Sequence, residues 1–137
     1  MTLATLREDA LSAREDGFVL RLSLPWIRSL PLASLLDPAV EIDGVDAGPL
    51  LVEIGDRTVS TAALVHERGW WFIQDRVALR GRAPVAPGPR TVTVSFRLLV
   101  PYLQAGPDSP LSLPFTTTRT LVAGAPARTA TVSRDVA

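Results

Sequence analysis

Short apolar runs separated by turn signals constrain the fold of this chain more than any other feature of its sequence. The clearest run, residues 91–100, alternates apolar and polar side chains with a period of two, which is typical of a half-buried strand. Residues 18–24 and 76–80 show the same alternation. Parallel sheets need helical crossovers of roughly 10–15 residues between strands, and the pattern between these runs is not helical. We therefore predict an all-β fold, an antiparallel β-sandwich of about seven to eight strands with one short helical turn.

Turn chemistry places the remaining elements of this prediction. Further strands are predicted at 39–42, 50–54, 57–59, 70–73 and 115–122. The Asp43-Gly44 pair is a strong signal for a two-residue hairpin turn after the first of them. Ser60 or Thr61 is suited to cap the short helical turn, which ends by Gly69. Each of these signals joins sequential elements by a short connection, as an antiparallel sandwich requires.

The limits of the domain follow from the same reading. We predict one sandwich domain over residues 1–123 and a loose tail over residues 124–137, where the composition is small and polar. Prolines and glycines predict loops at 81–90 and 104–114. Residues 5–15 have a helix-compatible composition with a thin apolar stripe, so they are predicted either as an ordered lead-in or as a frayed arm.

The segment 24–44 combines prolines with many large apolar side chains. Pro25 and Pro31 fix φ and lack a backbone donor, which excludes a helix interior and a central strand. The segment nevertheless contains Trp26, Ile27 and five leucines before Asp37. We interpret it as a link between two strands that lies over an edge of the core or against another chain, and as the place where a partner docks.

Composition excludes several classes of function. Fourteen arginines balance 14 acidic residues, so neither nucleic acid nor an anionic membrane is an expected partner. The chain has no cysteine, which rules out disulfides, thiolate nucleophiles and cysteine metal sites. The first residues carry charges where a signal peptide needs an apolar run, and no apolar stretch reaches the ~18 residues of a membrane span. These features predict a cytoplasmic protein.

Candidates for catalysis are few. His66 is the only histidine, and its neighbours Glu67 and Arg68 favour a solvated surface residue over a ligand or a base. Three carboxylates, Glu41, Asp43 and Asp46, surround one turn; a carboxylate pair can cleave glycosides, but turn chemistry is the commoner reason for such acids. Asp75 beside Arg76 is more typical of an ion pair. We predict no catalytic residue and no metal ligand in this chain.

Aromatic residues are more informative. Trp70 and Trp71 are adjacent, so in an extended segment one side chain faces the core and the other faces outward. Trp26 and Tyr102 are further aromatic candidates. An exposed tryptophan suits either sugar stacking or a protein–protein hot spot.

From about Asp9 to Val122 the sequence resembles the small β subunit of bacterial C-glycoside deglycosidases. The motifs that carry the resemblance, in order, are Asp9–Leu11, Leu22–Leu32, Val40–Gly44, Thr58–Val59, Trp70–Trp71, Gly88 and Pro101–Tyr102. The family usually has two aromatic residues before the Arg/Ser-Leu-Pro-Leu part of the second motif, and Trp26-Ile27 departs from that pattern. Each motif is short, and their common order is what makes the resemblance specific.

This resemblance implies an auxiliary subunit of a carbon–carbon lyase. The family pairs a small β-sandwich with a large (βα)₈-barrel α subunit that holds a divalent metal, expected to be manganese, and acts on 3-oxo-C-glycosides. A base removes the C2 proton, the metal stabilises the enolate, and the bond from C1 to the aglycone carbon breaks by β-elimination. The ligands and the base belong to the α subunit, which also binds most of the substrate.

The expected contribution of this chain is therefore a subunit interface. The residues predicted for it are Trp26, Ile27, Arg28, Leu30, Pro31, Leu32, Trp70, Trp71 and Tyr102. Two alternatives stay open from the residues alone. One is a carbohydrate-binding module in which Trp70, Trp71 and Tyr102 form the sugar platform, and the other is a self-sufficient enzyme, which the single histidine disfavours.

Overall fold

The computed structural model describes residues 5–107 and 109–124. Its strands, in chain order, are β1 Leu11–Arg14, β2 Gly17–Ser23, β3 Leu30–Pro31, β4 Leu35–Ile42, β5 Val45–Asp46, β6 Leu50–Ile54, β7 Arg57–Ser60, β8 Trp70–Trp71, β9 Arg76–Gly81, β10 Pro89–Gly106 and β11 Ser109–Val122. Two short 3₁₀ helices lie at Leu32–Ser34 and Thr61–His66. The second is the predicted helical turn, and the side chain of Ser60 accepts a hydrogen bond from the backbone of Ala63 at its start.

All strand pairs named here are antiparallel, and they form two main sheets. One sheet has the order β1-β2-β9-β6-β7, the other has the order β11-β10-β4-β5, and β3 pairs with β8 in a small separate ladder. Apolar side chains from both main sheets build one core. The prediction of an antiparallel β-sandwich is confirmed. Three of the eleven strands span only two residues, and the eight longer ones match the predicted number.

The period-two pattern of β10 produces the inner face of the smaller main sheet. Val92, Val94, Phe96 and Leu98 are buried, while Arg97 on the opposite face is exposed. The ring of Phe96 stacks on Phe115 of β11, with 5.7 Å between the ring centroids. Alternation in the sequence therefore sets which face of β10 enters the core.

The predicted Asp43-Gly44 turn is present and connects β4 with β5. Asp43 has φ 53° and Gly44 has φ 80°, the two positive values that a type I′ hairpin turn requires. The Asp43 carboxylate accepts hydrogen bonds from the backbone N–H of Thr91 at 2.9 Å and from Arg90 at 3.0 Å. Asp46 accepts a bond from the N–H of Gly48. Two of the three acids around this turn, Asp43 and Asp46, thus make structural hydrogen bonds, as turn chemistry predicts.

Residues 5–15 form an ordered lead-in. Thr5 and Leu6 are buried, and the carbonyl of Thr5 accepts a hydrogen bond from the N–H of Ser23. β1 then pairs with β2, with Leu11 opposite Leu20. The side chain of Arg119, on the other main sheet, donates to the carbonyl of Leu6 at 2.6 Å. This segment closes one end of the core because its few apolar side chains all point inward.

The prediction of a loop over residues 104–114 was wrong. β10 continues to Gly106 and β11 starts at Ser109, so the two strands form one long hairpin with register shifts after Val100. Prolines are tolerated here because β11 is an edge strand, whose outer side pairs with nothing in its sheet. The predicted loose tail falls largely on residues 125–137, outside the described residues, and stays a prediction. No helix in the described part of the chain has the length and apolarity to span a membrane.

Candidate functional site

The proline segment 25–31 lies beside residues 69–75, although the two are far apart in the sequence. β3 and β8 join them, with Leu30 opposite Trp71 and Pro31 opposite Trp70. The N–H of Ile73 donates to the side-chain oxygen of Ser29 at 2.9 Å, and residue 32 donates to the carbonyl of residue 69. Hydrogen bonds at both ends of the short ladder therefore hold the two segments together as one unit.

Tyr102 of the long hairpin joins the same unit. The indole N–H of Trp26 donates to the Tyr102 hydroxyl at 2.6 Å. The guanidinium of Arg28 lies 5.2 Å from the centroid of the Tyr102 ring, within range of a cation–π contact. Ile27 lies between Trp26 and Arg28 in the sequence. Both of these neighbours contact Tyr102, and the side chain of Ile27 faces solvent. The structure thus brings together three of the predicted interface residues.

Large apolar side chains on these three connected segments face solvent. Their exposed fractions are Ile27 73%, Trp70 52%, Ile73 50%, Tyr102 47% and Phe72 46%. We call these five residues the apolar patch. Single exposed apolar residues are ordinary on a protein surface, but five on one hydrogen-bonded unit are the usual sign of an interaction site.

The predicted interface residues divide into an outer and an inner set. Leu30, Leu32 and Trp71 are buried in the core, so their side chains support the patch from below. Trp70 is exposed and Trp71 is not, as expected for neighbours in an extended segment. Two members of the patch, Phe72 and Ile73, were absent from the predicted set. The sequence signal for these two residues is the unbroken apolar run 70–73. That run predicts a strand over all four residues, whereas β8 ends at residue 71.

An apolar cavity lies next to the patch. It has a volume of about 190 Å³, and residues at the end of β6 and at the start of β9 contribute to its lining. The residues that line it are Leu32, Val52, Glu53, Ile54, Gly55, Gly69, Trp70, Trp71, Asp75, Arg76 and Val77. Trp71 also donates its indole N–H to the carbonyl of Asp75 at 3.3 Å. Exposed Trp70 belongs both to the patch and to the wall of this cavity.

Arg76, at the edge of the cavity, forms an ion pair with Asp9 of the lead-in. Their closest side-chain atoms are 2.9 Å apart, and Arg76 is buried whereas Asp9 is largely exposed. Partial burial raises the pKa of the Asp9 carboxyl. The hydrogen bond from Arg76 and the positive charge of Arg76 lower the pKa, and together they outweigh burial, so the pKa of Asp9 is below its ordinary value. The pair ties the start of the chain to the start of β9.

This pair predicts a measurable pH dependence. A carboxyl whose pKa is lower in the folded state stabilises the fold above its unfolded pKa, and this contribution is lost as the pH falls through the folded pKa. For Asp9 the loss is expected in the acid range, below roughly pH 4. Carbon-detected NMR titration should place the pKa of Asp9 below that of an unstructured aspartate, and Arg76→Gln should raise it. An ordinary pKa in the unmodified protein would contradict the arrangement.

The remaining candidates from the sequence are the lone histidine and possible metal ligands. His66 is exposed at the end of the second 3₁₀ helix. Among the described residues, no group of three or more histidine, cysteine, aspartate or glutamate side chains could hold a metal ion. The described residues therefore offer a surface for contact and a small apolar cavity, and no metal-binding group.

The sequence is similar to that of a named bacterial protein. The chain is 28% identical over 110 residues to a protein of Microbacterium sp. named 3'-dehydrocarminate deglycosidase beta subunit. The alignment covers 77% of this chain and 83% of that protein. This chain is similar to a deglycosidase β subunit. No family model matches it.

Proposed function

We propose that this chain is the non-catalytic β subunit of a heteromeric C-glycoside deglycosidase. The observation that carries the proposal is the apolar patch, because a group of large exposed apolar side chains usually marks a surface that a partner covers. The similarity to a protein named as a deglycosidase β subunit supports the same reading, since that name implies a partner subunit. The partner would be an α subunit with a metal-dependent (βα)₈ barrel.

The proposed complex divides the chemistry between its subunits. On a 3-oxo-C-glycoside the ketone acidifies the C2 proton, a base takes that proton, and the C1–aglycone bond breaks by β-elimination as its electron pair leaves with the aglycone carbon. That carbon then takes up a proton. The base and the divalent metal, expected to be manganese, would come from the α subunit, which would also bind most of the substrate. Among the described residues of this chain, no cluster of side chains could hold that metal.

The contribution of the β subunit would be to bury the patch against the barrel. Trp70 and Phe72 supply large rigid rings, and Tyr102 is already fixed by Trp26 and Arg28 before any partner arrives. Fixed aromatic side chains lose little conformational entropy on binding, so they suit an interface hot spot. Docking at this end would hold loops of the barrel in place and exclude water near its active site.

A carbohydrate-binding module is the second candidate, and the exposed ring of Trp70 is the observation that favours it. The rest of the predicted sugar platform fits less well. Trp71 is only 1% exposed and offers no face for stacking. The Tyr102 ring has the Arg28 guanidinium above it and its hydroxyl bonded to Trp26. One free indole is a weak platform for an oligosaccharide, whereas the whole patch suits a protein surface.

Co-expression tests the proposal. This chain would be produced together with a candidate barrel protein from the neighbouring genes, and the mixture analysed by size exclusion with light scattering. We expect a single species that contains both chains and has lyase activity on a 3-oxo-C-glucoside. A monomer that ignores the barrel protein and binds free oligosaccharide would contradict the proposal and favour the sugar-binding module.

A charge placed in the patch should weaken the complex selectively. Ile73→Asp puts a carboxylate where the partner would bury it without a counter-charge, so we expect the Kd for the α subunit to rise at least about tenfold. Val45→Asp is the matched control because Val45 is also well exposed, at 68%, but lies on β5, opposite Ile42 at the end of β4. Isothermal titration calorimetry measures both. Equal binding by the two variants would place the interface elsewhere.

A further inference from the structure

The cavity beside Trp70 results from a local separation of two paired strands. β6 and β9 pair as far as Glu53 and Ala78. Beyond that point Ile54 pairs with Arg57 across the turn into β7, while Val77 pairs with β2 on its other side. A space of about 190 Å³ remains between the separated ends. Each of the two strand ends stays paired with its other neighbour.

The chemistry of the cavity suits an apolar occupant. Val52, Val77 and Trp71 line it and are buried in the core. Three charged residues also line it. Glu53 lies 3.7 Å from Arg80, Arg76 lies 2.9 Å from Asp9, and the backbone carbonyl of Asp75 accepts the indole N–H of Trp71. Because the other lining side chains are apolar, most of a polar ligand would lose its water without gaining comparable hydrogen bonds.

The size of the cavity distinguishes a side chain from a free ligand. Pockets for small molecules generally have volumes of about 300–1,000 Å³ and contain a few polar groups that orient the ligand. An apolar cavity of about 150 Å³ is enough for one benzene ring. The space beside Trp70 is therefore matched to one aromatic or leucine side chain and is small for a substrate.

We infer that this cavity receives one large apolar side chain of the partner subunit. The inference rests on the proposed function and names a specific anchor within that interface. Trp70 connects the cavity to the apolar patch, because it lines the cavity and is also an exposed member of the patch. Binding energy at interfaces concentrates where an aromatic or aliphatic anchor fills a pocket that surrounding contacts shield from water. The patch would supply that shield.

Filling the cavity tests the inference. Ile54 is half-buried and lines it, so Ile54→Trp places an indole in the space that the partner's side chain needs. Leu51→Trp is the matched control: it adds the same ring to the same strand, but Leu51 lies outside the cavity lining. We expect the Kd for the α subunit to rise about ten- to a hundredfold for Ile54→Trp and to change less than threefold for Leu51→Trp.

A second measurement keeps the inference testable if Ile54→Trp fails to fold. Methyl NMR of the unmodified protein, with and without the α subunit, reports the cavity directly. We expect large shift changes for the methyl groups of Val52 and Val77, since an inserted side chain displaces solvent next to them. Unchanged methyl shifts, or unchanged affinity in a folded Ile54→Trp variant, would overturn the anchor while leaving the complex intact. Absence of any complex with the unmodified chain would instead reject the proposed function.

Discussion

Replacing Trp71 with alanine is expected to lower the free energy of unfolding by about 3–5 kcal/mol, the range for removing a buried aromatic side chain. Trp71 is 1% exposed, and its ring centroid lies 6.4 Å from that of Phe96 on β10 of the four-stranded sheet. It also donates a hydrogen bond to the carbonyl of Asp75. The substitution would leave a void between the sheets and an acceptor without its donor. Urea unfolding followed by circular dichroism measures the change.

Trp70→Ala is the matched control for that experiment. It removes the same side chain from the adjacent residue, but Trp70 is 52% exposed. We expect a loss of less than about 1 kcal/mol in the free protein, together with weaker binding to the α subunit. Comparable destabilisation by the two substitutions would mean that the division into an inner and an outer tryptophan is wrong.

Gly17→Ala is the second substitution with a large expected effect. Gly17 starts β2 with φ +146°, and a Cβ at this position would lie 1.9 Å from the carbonyl oxygen of Gly81. That oxygen belongs to the backbone of β9, which is paired with β2, so it cannot move away without breaking the ladder. We expect a loss of at least about 3 kcal/mol from strain and lost strand pairing. Differential scanning calorimetry measures it.

Gly44→Ala separates steric clash from backbone preference. Gly44 also has a positive φ, +80°, but no atom lies within 4 Å of the position its Cβ would take. Only the cost of the left-handed conformation remains, so we expect a loss of about 1 kcal/mol. If Gly17→Ala cost no more than Gly44→Ala, the close approach of β2 to β9 would be contradicted.

Most of the sandwich was predictable because its strands carry local signals. Alternation identified β10 from Val92 to Leu98, and the Asp43-Gly44 pair identified a hairpin, since both depend on residues close together in the sequence. The loop prediction over 104–114 failed for a physical reason. Proline in a sequence predicts a break between strands, but it is compatible with an edge strand, and the position of a strand within its sheet depends on distant pairing.

The candidate site was only partly predictable for the same reason. Composition indicated that the proline segment carries apolar surface, but it could not tell buried Leu30 from exposed Ile27. That distinction arises from pairing with β8, which lies some forty residues along the chain. The contact of Trp26 with Tyr102 spans 76 residues and has no local signature. The cavity beside Trp70 depends on how β6 and β9 separate, which no sequence pattern indicates.

The features at this end of the molecule have a common explanation in the proposed complex. A buried layer that includes Leu30 and Trp71 holds the apolar patch rigid, and the cavity lies within reach of the same partner. A rigid patch beside a cavity is suited to tight and specific association. The domain would then act on the reaction through the shape it imposes on the barrel.

Reconstitution from purified subunits tests the central claim most directly. Unmodified chain and folded Ile73→Asp variant would be titrated separately into the purified α subunit, with cleavage of a 3-oxo-C-glucoside as the readout. The account predicts that activity rises to saturation with the unmodified chain and that at least about tenfold more of the variant is needed for the same activity. Full activity of the α subunit alone, independent of added chain, would contradict it.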